Sequence, residues 1–222
     1  EKPEYLAVAF DLKAPTFRHK MYDAYKGTRK PMPEELREQV PVLKELLAAM
    51  GIPLLMMEGY EADDLLGTAA KKSEEAGVDA VIVSGDRDLL QLATEKIMIR
   101  MPKTKRGVTE IENYHAQDVK DAYQVTEIHD YYPEDVKREY QVTPIEFIDV
   151  KALMGDASDN IPGVPSIGEK TATNLIAAYG TIENAYAHVE EIKPNRAKEA
   201  LKNHYDMAKM SKDLATICLE AP

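Results

Sequence analysis

Acidic residues recur in this chain just after short apolar runs, a placement that suits chemistry on a bound cation. Asp11 follows the run Tyr5 to Phe10 (YLAVAF), and Glu61, Asp63 and Asp64 come soon after Pro53 to Met57 (PLLMM). Asp86 and Asp88 come after Asp79 to Ser84 (DAVIVS), and Asp156 and Asp159 stand three apart in Gly155-Asp156-Ala157-Ser158-Asp159-Asn160. Carboxylates gathered this closely repel, and raise one another's pKa, unless cations sit between them. Hard oxygen ligands suit Mg²⁺ or Mn²⁺, whereas zinc would call for His or Cys. Two such metals roughly 4 Å apart can stabilise both the attacking and the leaving oxygen of a phosphodiester displacement. Each group alone has a plainer reading. Acids in a first helical turn are favoured by the helix dipole and by capping, Gly85-Asp86 is an ordinary loop pair, and the Gly155–Asn160 run could be a turn before Pro162. Three successive strand ends that all carry carboxylates favour the metal reading.

Two further segments could hold an anion. Gly163-Val164-Pro165-Ser166-Ile167-Gly168-Glu169-Lys170-Thr171-Ala172 is a glycine-punctuated turn that leads into a helix. Its glycines allow close backbone approach, and the N–H groups at a helix start face an anion. That is the pattern of a helix–hairpin–helix, which grips a phosphate backbone through Gly163, Ser166, Gly168, Lys170 and Thr171 without reading bases. A well-capped helix start is the plain alternative. The second segment, Phe17 to Lys30, interleaves Arg18, Lys20, Lys26, Arg29 and Lys30 with Phe17, Tyr22 and Tyr25. Basic groups there could meet phosphates while aromatics stack on bases; a solvated basic helix accounts for the composition equally well.

Other chemistries find no support in the sequence. It has no G-x-G-x-x-G, no Walker loop, no G-x-S-x-G elbow and no suggested Cys–His nucleophile pair. The net charge of −11 argues at first against nucleic acid, but setting aside the eight grouped carboxylates changes −11 to −3 and leaves room for a local basic face. No apolar run approaches the roughly 18 residues of a membrane span. The start, Glu1-Lys2-Pro3-Glu4, lacks the basic and apolar regions of a signal peptide, and the single cysteine, Cys218, cannot form an internal disulfide. A reducing, cytoplasmic setting is the expectation.

Positioning these residues requires alternating strands and helices. Apolar residues at helical spacing (Leu36, Val40, Leu43, Leu46, Leu47) predict a helix over Pro33 to Met50 closed by Gly51, and a second helix runs from Glu61 to about Ala76 before Gly77. Units of this kind imply an α/β fold with a parallel sheet covered by helices. Its strand ends form the crevice in which ligands bind. Residues 109–125 and 126–142 are a tandem repeat with ten of seventeen positions identical, each copy reading as an extended piece and then a short amphipathic helix. From Pro144 the chain reads as helical, broken at Ile161 to Gly168.

Taken in order, Ala9-Phe10-Asp11, Phe17-Arg18-His19, Tyr25-Lys26-Gly27-Thr28-Arg29, Gly59-Tyr60-Glu61-Ala62-Asp63-Asp64, Met154 to Asn160 and the Gly163–Ala172 hairpin resemble the 5′-nuclease (5′–3′ exonuclease) domains of bacterial DNA polymerase I. These are relatives of the flap endonucleases with a PIN-like core. The resemblance runs from about Ala7 to the C-terminus. It implies a PIN-like parallel sheet over 1–143, with a helical arch at about 12–31 and the repeat at 109–142. A helical region over 144–222 would carry the helix–hairpin–helix at about 161–178.

By resemblance, Asp11, Glu61, Asp63 and Asp64 belong to a first metal site and Asp86, Asp88, Asp156 and Asp159 to a second. Arg18, Lys26 and Arg29 would be catalytic, Tyr25, Lys26 and Arg29 would contact DNA, and the hairpin would bind duplex DNA with K⁺ on its carbonyls. The implied activity is hydrolysis of 5′ flaps, nicks and 5′ ends by a monomer, leaving a 5′-phosphate and a 3′-hydroxyl, with polymerase domains following in the full-length protein. The family opens with a strand bearing another metal-binding aspartate, which the resemblance places before Glu1. Two rival readings follow: a DNA-holding unit with impaired catalysis, and a PIN-type ribonuclease, against which the duplex-gripping hairpin argues.

Overall fold

Five short strands and nine α-helices account for most of the residues that the computed structural model describes, 3–103 and 127–222. They form small sheets flanked by helices, with a helical region from Pro144 onward. Strand β1 (Val8–Ala9) pairs in parallel with β2 (Leu54–Leu55), with Val8 opposite Leu54. Between them lie the five-residue helix α1 (Phe17–Met21), a run of turns and α2 (Glu34–Ala49). Helix α3 (Ala62–Glu75) leads to β3 (Ala80–Val83), which pairs in parallel with β4 (Ile97–Lys103). β4 pairs antiparallel with β5 (Glu127–Tyr131), so the sheet order is β3-β4-β5. A six-residue 3₁₀ turn over Arg87–Leu92 follows β3, with Asp86 at its N-cap and Asp88 in its first turn.

The second copy of the tandem repeat is β5 followed by α4 (Pro133–Tyr140); the first copy lies outside the described residues. Helix α5 (Pro144–Met154) starts on a capping box: Thr143 Oγ1 accepts from Glu146 N at 3.3 Å, and Glu146 returns an acceptor to Thr143 N at 2.7 Å. Then come α6 (Glu169–Tyr179), α7 (Ile182–Ala187), α8 (Asn195–Asn203) and α9 (Tyr205–Ala215). Leu89 and Leu90 of the 3₁₀ turn, Ile99 of β4, Leu153 of α5, Ile176 of α6, Ile182 of α7 and Leu201 of α8 are fully buried. All of them belong to one core cluster, so the turn that carries Asp88 and the helix that precedes Asp156 are seated in the same core. Among the described residues no helix is long and apolar enough to cross a membrane.

The two predicted helices in the first half form at α2 and α3, followed by Gly51 and Gly77 at φ +74° and +80°, the left-handed geometry of a helix end. Periodicity does not fix what covers them. Helix α2 has no buried residue, and Leu36, Val42, Leu43 and Leu46 are exposed. Its Pro41 is tolerated in the interior although proline lacks the N–H of a regular helical residue. β3 likewise buries Ile82 and exposes Val81 and Val83, and no ladder joins its sheet to β1–β2 among the described residues.

Candidate active site at the strand ends

Asp11 lies just past β1 and reaches across to α3, where its Oδ1 accepts from Ala62 N at 2.7 Å. That bond satisfies one of the free N–H groups of the first helical turn and brings the end of β1 to the segment that follows β2. Glu61 caps α3, and Asp64 Oδ2 accepts from Glu61 N at 3.0 Å. Asp64 is fully buried, and its oxygens also accept from Arg18 Nη1 and Nη2 at 2.8 Å each and from Cys218 N at 2.8 Å. Burial alone would raise the Asp64 pKa, but the bonds from Arg18 and the two backbone N–H groups overcome it and hold the carboxyl below its ordinary value. Arg18, also buried, donates from Nε to Leu214 O at 3.0 Å and from Nη2 to Thr216 O at 2.7 Å. One ion pair thus ties α1, the start of α3 and the chain beyond α9.

Beyond α1, the basic segment folds as turns over the site. Lys26 takes a left-handed φ of +53° and its N–H donates to Asp159 O at 2.8 Å, while Asn160 Nδ2 donates to Ala24 O at 2.6 Å. Lys26 Nζ lies 2.9 Å from Glu61 Oε2 and 3.7 Å from Asp159 Oδ2. The Tyr25 hydroxyl lies 3.1 Å from Glu61 Oε2 and 3.2 Å from Asp159 Oδ2, so its proton can serve either carboxylate. Its ring is buried and stands edge-on to His19, so its face is not turned to solvent. Burial, followed by the charges of Glu61 and Asp159, lifts the phenol well above its usual range and keeps it neutral. Arg29, half exposed, donates to Ser158 O at 3.2 Å and pairs with Asp159.

A second cluster forms beside the first. Asp86 Oδ1 accepts from Asp88 N at 3.0 Å. Lys151 Nζ approaches Asp88 Oδ1 at 2.6 Å and pairs with Asp156, which in turn accepts from Ser158 N and Oγ at 2.8 and 2.6 Å. Burial pushes Asp88 up to about 6, with Asp86 and Asp156 adding to the rise against the pull of Lys151. Burial also opposes ionisation of Asp156, yet the bonds from Lys151 and Ser158 bring it down to about 2. Asp63 is pushed up to about 7 by burial first, then by Asp86, Asp11 and Glu61 against Lys26. That coupling joins the two clusters through Asp63 and Asp86. As the side chains stand, no three His, Cys, Asp or Glu among the described residues could hold a metal ion. The donor chemistry nevertheless fits a hard divalent cation. The groups are carboxylates, the hard oxygen donors that such a cation takes.

The hairpin turn is built by close packing. At Gly163, φ is +62°, and a Cβ would come within 2.3 Å of Gly155 N; Gly163 N donates to Ser211 Oγ at 3.0 Å. Gly168 caps α6, with Lys170 exposed and Thr171 half-buried in its first turn. Ser166, at φ +72°, accepts from Arg196 Nη2 at 3.1 Å, so a cation of α8 stands against the turn.

Lys151 and Arg196 were not among the residues singled out from the sequence. The signal for Lys151 was present: it stands with Asp149 inside the otherwise apolar run Phe147 to Met154, where a charged pair must be buried and partnered. Asp149 is partnered by Lys212 Nζ and Ile182 N at 2.8 and 3.0 Å. Arg196 gave no local signal.

The fold, small sheets flanked by helices and continued by a helical region, matches that of the T5 5′-exonuclease. A structure of that protein with divalent metal ions (zinc) bound matches at TM-score 0.74 and 22% identity, over 97% of this chain and 75% of that one. The bacteriophage T5 flap endonuclease, in a pseudo-enzyme–product complex with DNA and metal ions, matches at TM-score 0.73 and 22% identity, over 97% and 74%. The family described as 5′-3′ exonuclease, N-terminal resolvase-like domain, matches residues 1–124, and that described as 5′-3′ exonuclease, C-terminal SAM fold, matches residues 142–222. The chain belongs to the 5′-3′ exonuclease family. Its curated relatives include DNA polymerase I of Bacillus caldotenax, 46% identical, and of Bacillus subtilis (strain 168), 44% identical. Each alignment takes in 100% of this chain and 23% of the relative, so the chain spans about a quarter of their length.

Proposed function

We propose that this chain is a structure-specific 5′–3′ exonuclease and flap endonuclease that hydrolyses DNA phosphodiester bonds with two divalent metals, Mg²⁺ or Mn²⁺, as part of a DNA polymerase I in replication and repair. The observation that carries the reading is the meeting of carboxylates from four places in the chain: Asp11 after β1, Glu61 and Asp63 after β2, Asp86 and Asp88 after β3, and Asp156 and Asp159 after α5. Asp11, Glu61 and Asp63 would hold one metal, and Asp86, Asp88, Asp156 and Asp159 the other. Asp64 is given a different part from the one first expected. With its oxygens engaged by Arg18 and two backbone N–H groups, it fixes the start of α3, and Arg18 acts through it. The bound metals would offset charge on the attacking water and on the leaving 3′ oxygen.

The chain's own groups have separate tasks. Tyr25 holds Glu61 and Asp159 in place by hydrogen bonds. Lys26 now neutralises those same two carboxylates, and it can turn to the scissile phosphate once metals take over that task. Arg29 is exposed enough to meet the same phosphate. The exposed start of α6 at Gly168 and Lys170, with Gly163, Ser166 and Thr171 beside it, would grip the duplex backbone, with K⁺ on the carbonyls of the turn. Lys170→Ala is expected to weaken duplex binding equally for unrelated sequences and to reduce the salt slope of log Kd by about 1, measured by anisotropy across a salt series.

The test of the function is cleavage in Mg²⁺ of a 5′-flapped DNA duplex beside a single-stranded RNA of equal length. Release of the flap with the RNA intact is expected. Cleavage of the RNA alone would replace this reading by the PIN-type ribonuclease. Flap binding without cleavage would favour a DNA-holding unit.

A further inference from the structure

Lys151 is a buried cation for which the hydrolysis outlined above has no task. It projects from α5, is 8% exposed, and places Nζ 2.6 Å from Asp88 Oδ1 while pairing with Asp156. The two acids come from different elements, Asp88 from the 3₁₀ turn after β3 and Asp156 from the segment after α5. Asp88 Oδ1 is buried, and its close charged neighbour is the Lys151 ammonium. Asp156 keeps its other oxygen on Ser158, which turns Oδ2 toward the same ammonium. A single point charge on a flexible four-carbon stem therefore stands between two carboxylates that would help hold a divalent ion.

We propose that Lys151 is a built-in placeholder cation, which holds Asp88 and Asp156 together in the metal-free protein and competes with a divalent ion for them. The proposal rests on the reading of these acids as metal ligands. Lys151 is on this view a positioning residue that weakens intrinsic metal affinity while keeping the empty site assembled. Removing its charge leaves two buried carboxylates repelling each other, which lowers metal-free stability and raises the gain from an incoming cation. A purely structural ion pair would show the first effect without the second.

The experiment is calorimetric titration of the full chain with Mn²⁺ alone, without DNA, for the parent protein, Lys151→Met and Lys151→Gln. Methionine keeps the unbranched stem, and glutamine keeps one donor should methionine fail to fold. Mn²⁺ binding about tenfold tighter in the variant, with a larger Mn²⁺-induced rise in Tm, is the expected result. Affinity unchanged or weakened in both variants would overturn the proposal. Asp156→Asn in the same titration separates the two layers. If it weakens Mn²⁺ binding while the Lys151 variants do nothing, only the placeholder role falls; if it too leaves Mn²⁺ binding unchanged, the metal reading of this pair falls with it.

Discussion

Arg18→Met is expected to lower folding stability by about 3–5 kcal/mol, the usual cost of removing one partner from a buried ion pair. Asp64 would keep its charge with no solvent exposure and two backbone donors in place of a guanidinium. The carbonyls of Leu214 and Thr216 would lose their donors at the same time. Urea unfolding monitored by circular dichroism measures the loss. The double variant Arg18→Met with Asp64→Leu should recover part of it, because no unpaired charge then remains in the interior. A single variant as stable as the parent would mean that the pair contributes nothing to holding α1, α3 and the chain beyond α9 together.

Asp63→Asn should have opposite effects on activity and on stability. If Asp63 is a metal ligand, flap cleavage in Mg²⁺ falls by at least ~10³-fold, or roughly 4 kcal/mol of transition-state stabilisation. Without metal, the same change relieves the burial and repulsion that push the carboxyl up to about 7, and the fold gains on the order of 1–3 kcal/mol. The pH dependence follows with a definite sign. In the metal-free parent, the folded state takes up a proton near pH 7 and the unfolded chain only near ~4. Stability therefore rises as pH falls from about 7 to about 4, with Asp88, pushed up to about 6, acting in the same sense. Below that window the gain ends, and stability drains away as Asp156, held at about 2, is titrated. Thermal scans over this pH range, with and without metal, should show the rise reduced in Asp63→Asn. Cleavage equal to the parent's would remove Asp63 from the metal ligands.

Much of the frame could be read along the chain because its signals are local. The apolar spacing of α2 and α3, their closing glycines and the capped start of α5 depend on neighbours within one or two helical turns. The recurrence of acids just after strands is equally local, whereas Gly163 must be glycine because the chain at Met154 and Gly155 packs against it. What those elements do with one another was not legible. Helix α2 has the periodicity of a covered helix and yet no buried residue, because a hydrophobic stripe records that a face suits burial and not what covers it. Asp64 shares its helix turn with Asp63 and looks the same in sequence. Only the approach of Arg18, 46 positions earlier, and of Cys218, 154 positions later, separates a carboxylate with four donors from one that is pushed toward neutrality. Tyr25 reads as a stacking aromatic until its hydroxyl meets Asp159, 134 residues away. Lys151 became part of the site only when the core placed α5 under the turn that carries Asp88. The sequence by itself determined which residue types occupy the strand ends and the glycine turn, since those follow from backbone geometry and short-range periodicity. The tertiary structure decided which charges are paired and which are left in excess, because Coulomb energy and desolvation depend on distance through space and on burial, and neither is encoded at any one position.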